Sequence, residues 1–376
     1  MTANHHMRKQ MIVALHEIPG IGWQAIHKAV SHRLWEKPIW KTDDLTAIGM
    51  RGAQAKAASE RYAGRTWMSE ADRADNVGGH TAVLTPFDSE YPQALKEIAQ
   101  PPWVLYARGR LELLERPAIA VVGTRVPTAY GRHSATSLAR ELSAAGLTVV
   151  SGLARGIDGK AHEAALYGRG GTIAVLPTPI DRCYPPENVS LFHKIAEHGL
   201  LVSETPLGTP LHPGQFPLRN RIIAGLTFGT VVVEGARRSG SLITAQQAME
   251  MNREVFAVPG PISSPKSEGP NDLIKRGEAK LIGCVNDIVE ELAWLPAALR
   301  RLDLDESGEA GGPAGNEAAL NEEERKIIAL LRDQPLSINE LHELSSIPFG
   351  HLNALLLNLC IKRKIELQSG SIYMAL

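Results

Sequence analysis

Leu147-Thr148-Val149-Val150-Ser151-Gly152-Leu153-Ala154-Arg155-Gly156-Ile157-Asp158-Gly159 reads as a short apolar strand that runs into a glycine- and arginine-rich loop and then opens a helix. The same texture extends on both sides of it. Short β-branched runs recur at Ala118-Val122, Thr172-Leu176, Leu200-Ser203, Thr230-Val233 and Glu254-Val258. Helical patterns separate them at Tyr130-Ala145, Asp158-Tyr167, Glu187-His198 and Ser241-Met251. Gly146, Gly168 and Gly199 stand just beyond three of these helices, where a left-handed residue commonly stops a helix. Continuous apolar strands alternating with helices predict a mostly parallel sheet covered on both faces. Residues 80–295 are therefore expected to form an α/β, Rossmann-like, doubly wound domain.

The flanks differ in character. Over residues 1–75 apolar positions recur at helical spacing (Met11, Ile12, Leu15; Ala25, Ile26, Ala29, Val30), with a break at Gly78-Gly79. Glu17-Ile18-Pro19-Gly20-Ile21-Gly22-Trp23 has the paired glycines of a helix-hairpin-helix, and a poorer copy stands at Ala47-Gly52, so a small helix-hairpin-helix or SAM-like domain is expected there. Residues 296–319 are acidic and glycine-rich, the composition of a flexible linker. Beyond them, from 320 to 376, three helical stretches (Asn321-Arg332, Ile338-Leu344, Phe349-Ile361) precede strand, turn and strand, with Ser369-Gly370 at the turn. That is the layout of a winged helix. Its third helix is mostly Leu, Ala and Asn, and basic residues follow only at Lys362, Arg363 and Lys364, so packing or protein contact is its expected use.

At 376 residues the chain is long enough for two or three domains, and 44% apolar with 22% charged residues is an ordinary globular composition. A net charge of −1 means that any nucleic-acid surface must come from local clustering. Cys183, Cys284 and Cys360 lie far apart, which argues against a disulfide framework or a zinc site and suits a reducing compartment. No stretch approaches the roughly 20 apolar residues of a membrane span, and the start of the chain lacks a signal-peptide core, so a cytoplasmic protein is expected.

The chemistry gathers in the loops at the carboxyl ends of the strands. They are Gly123-Thr124-Arg125, Gly152 to Gly159, Glu234 to Ser241 with Arg237, Ser239 and Gly240, and Phe216 to Gly225 with Arg219, Asn220 and Arg221. Glycine lets a backbone approach an anion closely, a helix start offers unpaired N–H donors, and arginine offers a fork suited to phosphate. Each glycine taken singly is equally well a tight turn, and each arginine a solvated side chain or a partner of Glu234 or Asp158. Several such loops on one rim point to a row of phosphates, that is, a polynucleotide backbone.

Standard enzyme signatures are missing. Gly123 is followed by no GxGxxG triplet, Gly156-Ala161 has the wrong spacing for a Walker A loop, His193, Glu197 and His198 are out of metal-ligand register, and no GxSxG is present. No cofactor and no metal are expected. The alternative is a nucleotide-binding or nucleotide-cleaving enzyme or sensor with Glu234 and Asp158 in acid–base roles.

These loops resemble the DNA-processing protein A (DprA/Smf) family. The matching elements run in order through Val121-Arg125, Ser151-Asp158, Asp181-Asn188, Ser203-Glu204, Phe216-Gly225, Ser239-Ala245 and Val258-Gly260. The resemblance implies a non-catalytic protein that binds and protects single-stranded DNA and loads the RecA recombinase onto it in natural transformation and recombination. It also implies a homodimer formed through the Rossmann-like domain. The DNA-binding set it implies is Gly123, Thr124, Arg125, Gly152, Arg155, Gly156, Arg219, Asn220, Arg221, Arg237, Ser239, Gly240 and Ser241, with Arg125 foremost. Pro186 departs from the family, where a basic residue often follows Tyr-Pro.

Overall fold

Burial on both faces of the central strands organises the molecule. In the strand Ala118–Val122, Ala118, Ala120 and Val122 enter one hydrophobic cluster and Ile119 and Val121 enter another on the opposite face. Both faces are covered, so the strand is apolar throughout rather than alternating.

The computed structural model describes residues 3–37, 39–63, 81–292, 322–345, 347–361, 364–368 and 372–375. Gly78 and Gly79, the linker expected at 296–319, Lys362, Arg363 and the Ser369-Gly370 turn lie outside them. Two compact units divide the chain, Met1–Leu304 and Asp305–Leu376.

The first unit begins with α1 (Ala3–His16), α2 (Trp23–Ser31), α3 (Thr42–Ala47) and α4 (Gly52–Ala63). There follow β1 (Thr81–Leu84), α5 (Gln93–Lys96), β2 (Leu105–Gly109), β3 (Ala118–Val122), α6 (Ala129–Ala144), β4 (Thr148–Ser151) and α7 (Ile157–Ala165). Then come β5 (Thr172–Leu176), α8 (Val189–His198), β6 (Leu200–Ser203), α9 (Gln215–Gly225) and β7 (Gly229–Val232). The unit ends with α10 (Gly240–Glu250), β8 (Glu254–Ala257), α11 (Glu268–Lys275), β9 (Lys280–Leu281) and α12 (Val285–Glu291).

Among the described residues the sheet order is β1-β2-β6-β5-β4-β3-β7-β8-β9. From β6 to β9 all neighbours are parallel, and β1 and β2 add an antiparallel edge. The chain winds outward from β3 to β6 on one side and from β7 to β9 on the other, so it reverses between β3 and β7. In a doubly wound sheet the crevice at that reversal is where ligands bind. The amino-terminal helices have no separate core. Met11, Ile12, Leu15, Ile26, Trp40 and Leu45 share one cluster with Ala174, Leu176 and Leu201 of the sheet.

Two local expectations are corrected. Phe216–Gly225, read as a loop, is most of helix α9; Pro217 sits in its first turn, where proline costs no helical hydrogen bond. Of the three glycine helix stops, only Gly146 is left-handed, with φ +89°. Gly168 and Gly199 are there for space: a Cβ would lie 2.3 Å from Ser143 Oγ and 2.7 Å from the Thr172 carbonyl oxygen, respectively.

The second unit contains α13 (Glu322–Asp333), β10 (Leu336–Ser337), α14 (Ile338–Ser345), α15 (Phe349–Ile361), β11 (Ile365–Gln368) and β12 (Ile372–Ala375). Its sheet runs β10-β12-β11, which makes it a winged helix. Leu352, Leu355, Leu356 and Leu359 of α15 are spent on the core with Ile327, Leu331 and Leu341. No described helix in either unit is long and apolar enough to cross a membrane.

Candidate nucleic-acid interface

At the reversal point the loops after β3 and β7 are stitched together by their backbones. The Thr124 N–H donates to the Glu234 carbonyl at 2.7 Å, and the Ile157 N–H of α7 donates to the Thr124 carbonyl at 3.2 Å. Close approach is what demands glycine here. A Cβ on Gly123 would lie 2.6 Å from Ile157 Cγ1, and one on Gly156 (φ +78°) would lie 2.4 Å from the Thr124 carbonyl oxygen. Gly156 is thus a packing glycine beneath the rim.

Above these contacts opens a cleft of about 430 Å³. Gly123, Thr124 and Arg125 form one wall, Arg238, Ser239, Gly240 and Ser241 another, and Phe216, Arg219 and Asn220 of α9 the third. The α10 amino terminus faces it, capped by Ser239 Oγ; over Gly240 nothing stands within 4 Å of where a Cβ would be. A smaller recess adjoins it past Arg125 and Phe216, lined by Gly152, Arg155 and Tyr184. The Arg125 guanidinium lies over the Phe216 ring, 5.4 Å from its centroid, and Tyr184 meets the same ring edge-on at 5.6 Å.

The arginines separate into distinct roles. Arg155 is ion-paired to Glu187, Arg237 to Asp272 (3.2 Å) and Glu268 (3.7 Å), and Arg221 to Glu204, its Nη2 donating to both carboxylate oxygens and its Nη1 to the Gln100 carbonyl. Arg219 is buried. Its Nη1 donates to the Gly152 and Val175 carbonyls and its Nε to Asn220 Oδ1. Burial pulls its pKa down to about 10 against the restoring charge of Asp158, and nearby Arg125 pulls it down further. Arg125 and Arg238 have no carboxylate partner among the described residues. The cleft therefore carries two unpaired cations over a third held in its floor.

Sequence reasoning chose Arg237 from the Arg237-Arg238 pair, but Arg238 is the one that lines the cleft. Both follow Ala236, and only the path of the loop decides which turns inward. Phe216 is not among the expected DNA-binding residues; an aromatic beside an arginine-rich segment was the signal available.

Buried polar groups hold the β4–α7 loop in place. Asp158 accepts the Gly152 N–H at 3.1 Å and the Ala154 N–H at 3.4 Å, and Asn188 donates to the Leu153 and Ala154 carbonyls. His162 Nε2 accepts the Leu153 N–H at 3.3 Å, its Nδ1–H faces Thr172 Oγ1 at 2.7 Å, and that hydroxyl donates to the Val149 carbonyl. Leu153, held between them, is left-handed at φ +56°.

Glu234 has a different task. It is buried, and its carboxylate accepts the Thr128 N–H at 2.9 Å and the Thr128 hydroxyl at 2.5 Å, at the amino terminus of α6. Gly131 leaves it room, since a Cβ there would lie 2.2 Å from Glu234 Oε2. In a dinucleotide site that helix terminus takes the pyrophosphate. Here the protein's own anion fills it. Among the described residues no group of three or more His, Cys, Asp or Glu is placed to hold a metal ion.

The chain is similar to known proteins over most of its length. The family described as DNA recombination-mediator protein A matches residues 82–293, and the DprA winged helix domain matches residues 312–371. Protein Smf of Synechocystis is 36% identical over 96% of this chain and 97% of its own length. The X-ray structure of DNA processing protein A from Streptococcus pneumoniae superposes with a TM-score of 0.64 at 36% identity, covering 77% of this chain and 98% of that one. The structure of DNA processing protein A from Helicobacter pylori, described for its single-stranded DNA binding mode, gives a TM-score of 0.52 at 32% identity, over 57% of this chain and 96% of that one.

Proposed function

Because this chain belongs to the DNA recombination-mediator protein A family, DprA/Smf, we propose that it binds single-stranded DNA along the cleft between Arg125 and Arg238. It acts there by binding and without turnover. As the family resemblance implies, it works in the cytosol as a homodimer formed through the Rossmann-like domain, protects the strand and delivers RecA onto it during DNA uptake and recombination.

The observation that carries this reading is the pair of uncompensated arginines facing one cleft, beside the open amino terminus of α10. Phosphates would bind Arg125, Arg238 and the Gly240 N–H at the start of α10. Phe216, flanked by Arg125 and Tyr184, offers a face on which an unpaired base stacks. A duplex keeps its bases stacked inside and cannot use that face. Arg219 and Gly156 act beneath the surface, as supports. Arg155, Arg221 and Arg237, already paired with carboxylates, contribute only where DNA displaces those partners. Glu234 in the α6 terminus stands against the nucleotide-enzyme reading.

A salt-titrated binding assay with single- and double-stranded DNA tests the proposal. Affinity for single strands should fall with a log–log salt slope of about −0.7 per neutralised phosphate. Arg125→Ala should cost about 1.5–3 kcal/mol of binding, the range for a hydrogen bond to a charged group, or roughly tenfold to a hundredfold in Kd. Duplex-preferring binding that ignores the substitution would remove the proposal.

A further inference from the structure

On the other side of α9 lies a second cavity of about 660 Å³. Pro19 and Ile21 of the α1–α2 turn, Leu207 and His212 after β6, and Gln215 and Leu218 of α9 form its walls. Two carboxylates at its edge are already engaged, Glu204 by Arg221 and Glu17 by Arg61 and the Tyr106 hydroxyl.

What is left over in this cavity is a set of proton donors. Gln215 is only 8% exposed. Its Oε1 accepts the His212 N–H at 2.7 Å, and its Nε2 has no hydrogen-bond partner among the described residues. The side chain is buried but this nitrogen opens to the cavity, so it has a donor to offer there. Arg219, 7% exposed, lines the same wall, and its Nη2 likewise makes no hydrogen bond. His212 Nδ1 accepts the Gly214 N–H at 3.2 Å, so the neutral ring carries its proton on Nε2. All three side chains have protons to give.

We propose that this cavity is a nucleobase pocket for the strand held in the Arg125 cleft, and that it prefers bases bearing a carbonyl oxygen to adenine, whose edge carries an amino donor in that place. The inference rests on the reading of the Arg125 cleft as the path of the strand. A thymine, cytosine or guanine ring matches the apolar walls with its faces and the donors with its carbonyl edge. Continuity favours a base of that strand as the occupant. Arg219 lines both cavities, and α9 separates them, with Leu218, 55% exposed, on the second cavity's side.

The test compares oligothymidylate with oligoadenylate of equal length on the full chain. Oligoadenylate's own stacking biases any single-strand binder, so the readout is the change in the affinity ratio on substitution. Gln215→Glu keeps the acceptor for the His212 N–H but turns the free donor into an acceptor. The added charge weakens both oligonucleotides alike, and the ratio should fall by roughly fivefold or more. Leu207→Trp, which fills the cavity without a change of charge, should lower the ratio in the same way. A wild type that binds both strands, with a ratio untouched in either variant, overturns this inference alone. A wild type that binds neither overturns the cleft reading as well. Free thymidine that binds through Gln215 while the oligonucleotide ratio stays fixed assigns the pocket to a free nucleoside, and it too overturns the inference.

Discussion

Arg219→Met is expected to destabilise the folded protein by about 3–5 kcal/mol, because it removes the donor from two buried carbonyls and the charge that offsets a buried carboxylate. Asp158 is buried with Arg219 as its countercharge. Burial pushes the Asp158 carboxyl up, and Arg219, with the Ala154 and Gly152 N–H groups, pulls it back. Removing the guanidinium leaves a buried carboxylate without a cation. It also strips the Gly152 and Val175 carbonyls of a donor, because Met matches the length of the side chain but none of its protons. Urea unfolding would measure the loss as a lower midpoint at unchanged slope. Arg219→Met combined with Asp158→Asn should be less destabilised than the sum of the single changes, since the two residues share one interaction. A loss below about 1 kcal/mol would mean that Arg219 is not the support described.

Acid should weaken the same loop through His162. Burial, with Arg219 adding to it, pulls the His162 pKa down from 6.5 to about 3. Between those two values the unfolded chain binds a proton that the folded chain does not, so stability rises with pH across the window and falls as the pH drops through it. One proton corresponds to about 1.4 kcal/mol per pH unit. The hydrogen bonds give the cause. Nε2 is occupied as an acceptor by the Leu153 N–H, so a proton there would set two donors against each other. His162→Gln should be less stable near neutral pH, yet show a shallower fall between about pH 6 and 4. Urea midpoints across that range for both proteins would decide it, and parallel slopes would exclude His162 as the source.

Much of this architecture was legible because a sheet covered on both faces needs apolar residues at every strand position. Ala118–Val122 and Thr172–Leu176 could be read for that reason. Helix α9 was not legible. It is buried on nearly all sides at Ile222, Ile223, Ala224 and Gly225, so it lacks an apolar stripe, and its Arg-Asn-Arg run looks like a surface loop. The candidate site was partly legible. Glycine beside arginine at strand ends marked loops that the fold gathers on one rim, because parallel strands deliver all their carboxyl ends to one side.

By itself the sequence determined the alternation of strand and helix, the rim on which the loops gather, the winged helix that follows, and the family. These depend on local pattern, which each segment carries whatever surrounds it. Only the tertiary structure decided which arginines remain available. Arg219 and Arg125 both stand in glycine-containing segments at the rim, yet one is sunk against two backbone carbonyls while the other lies open over Phe216. That difference arises from residues distant in the chain, Gly152 and Val175, whose carbonyls meet Arg219 only once the sheet has formed. The availability of a charge is set by its partners, and in this fold the partners come from other strands.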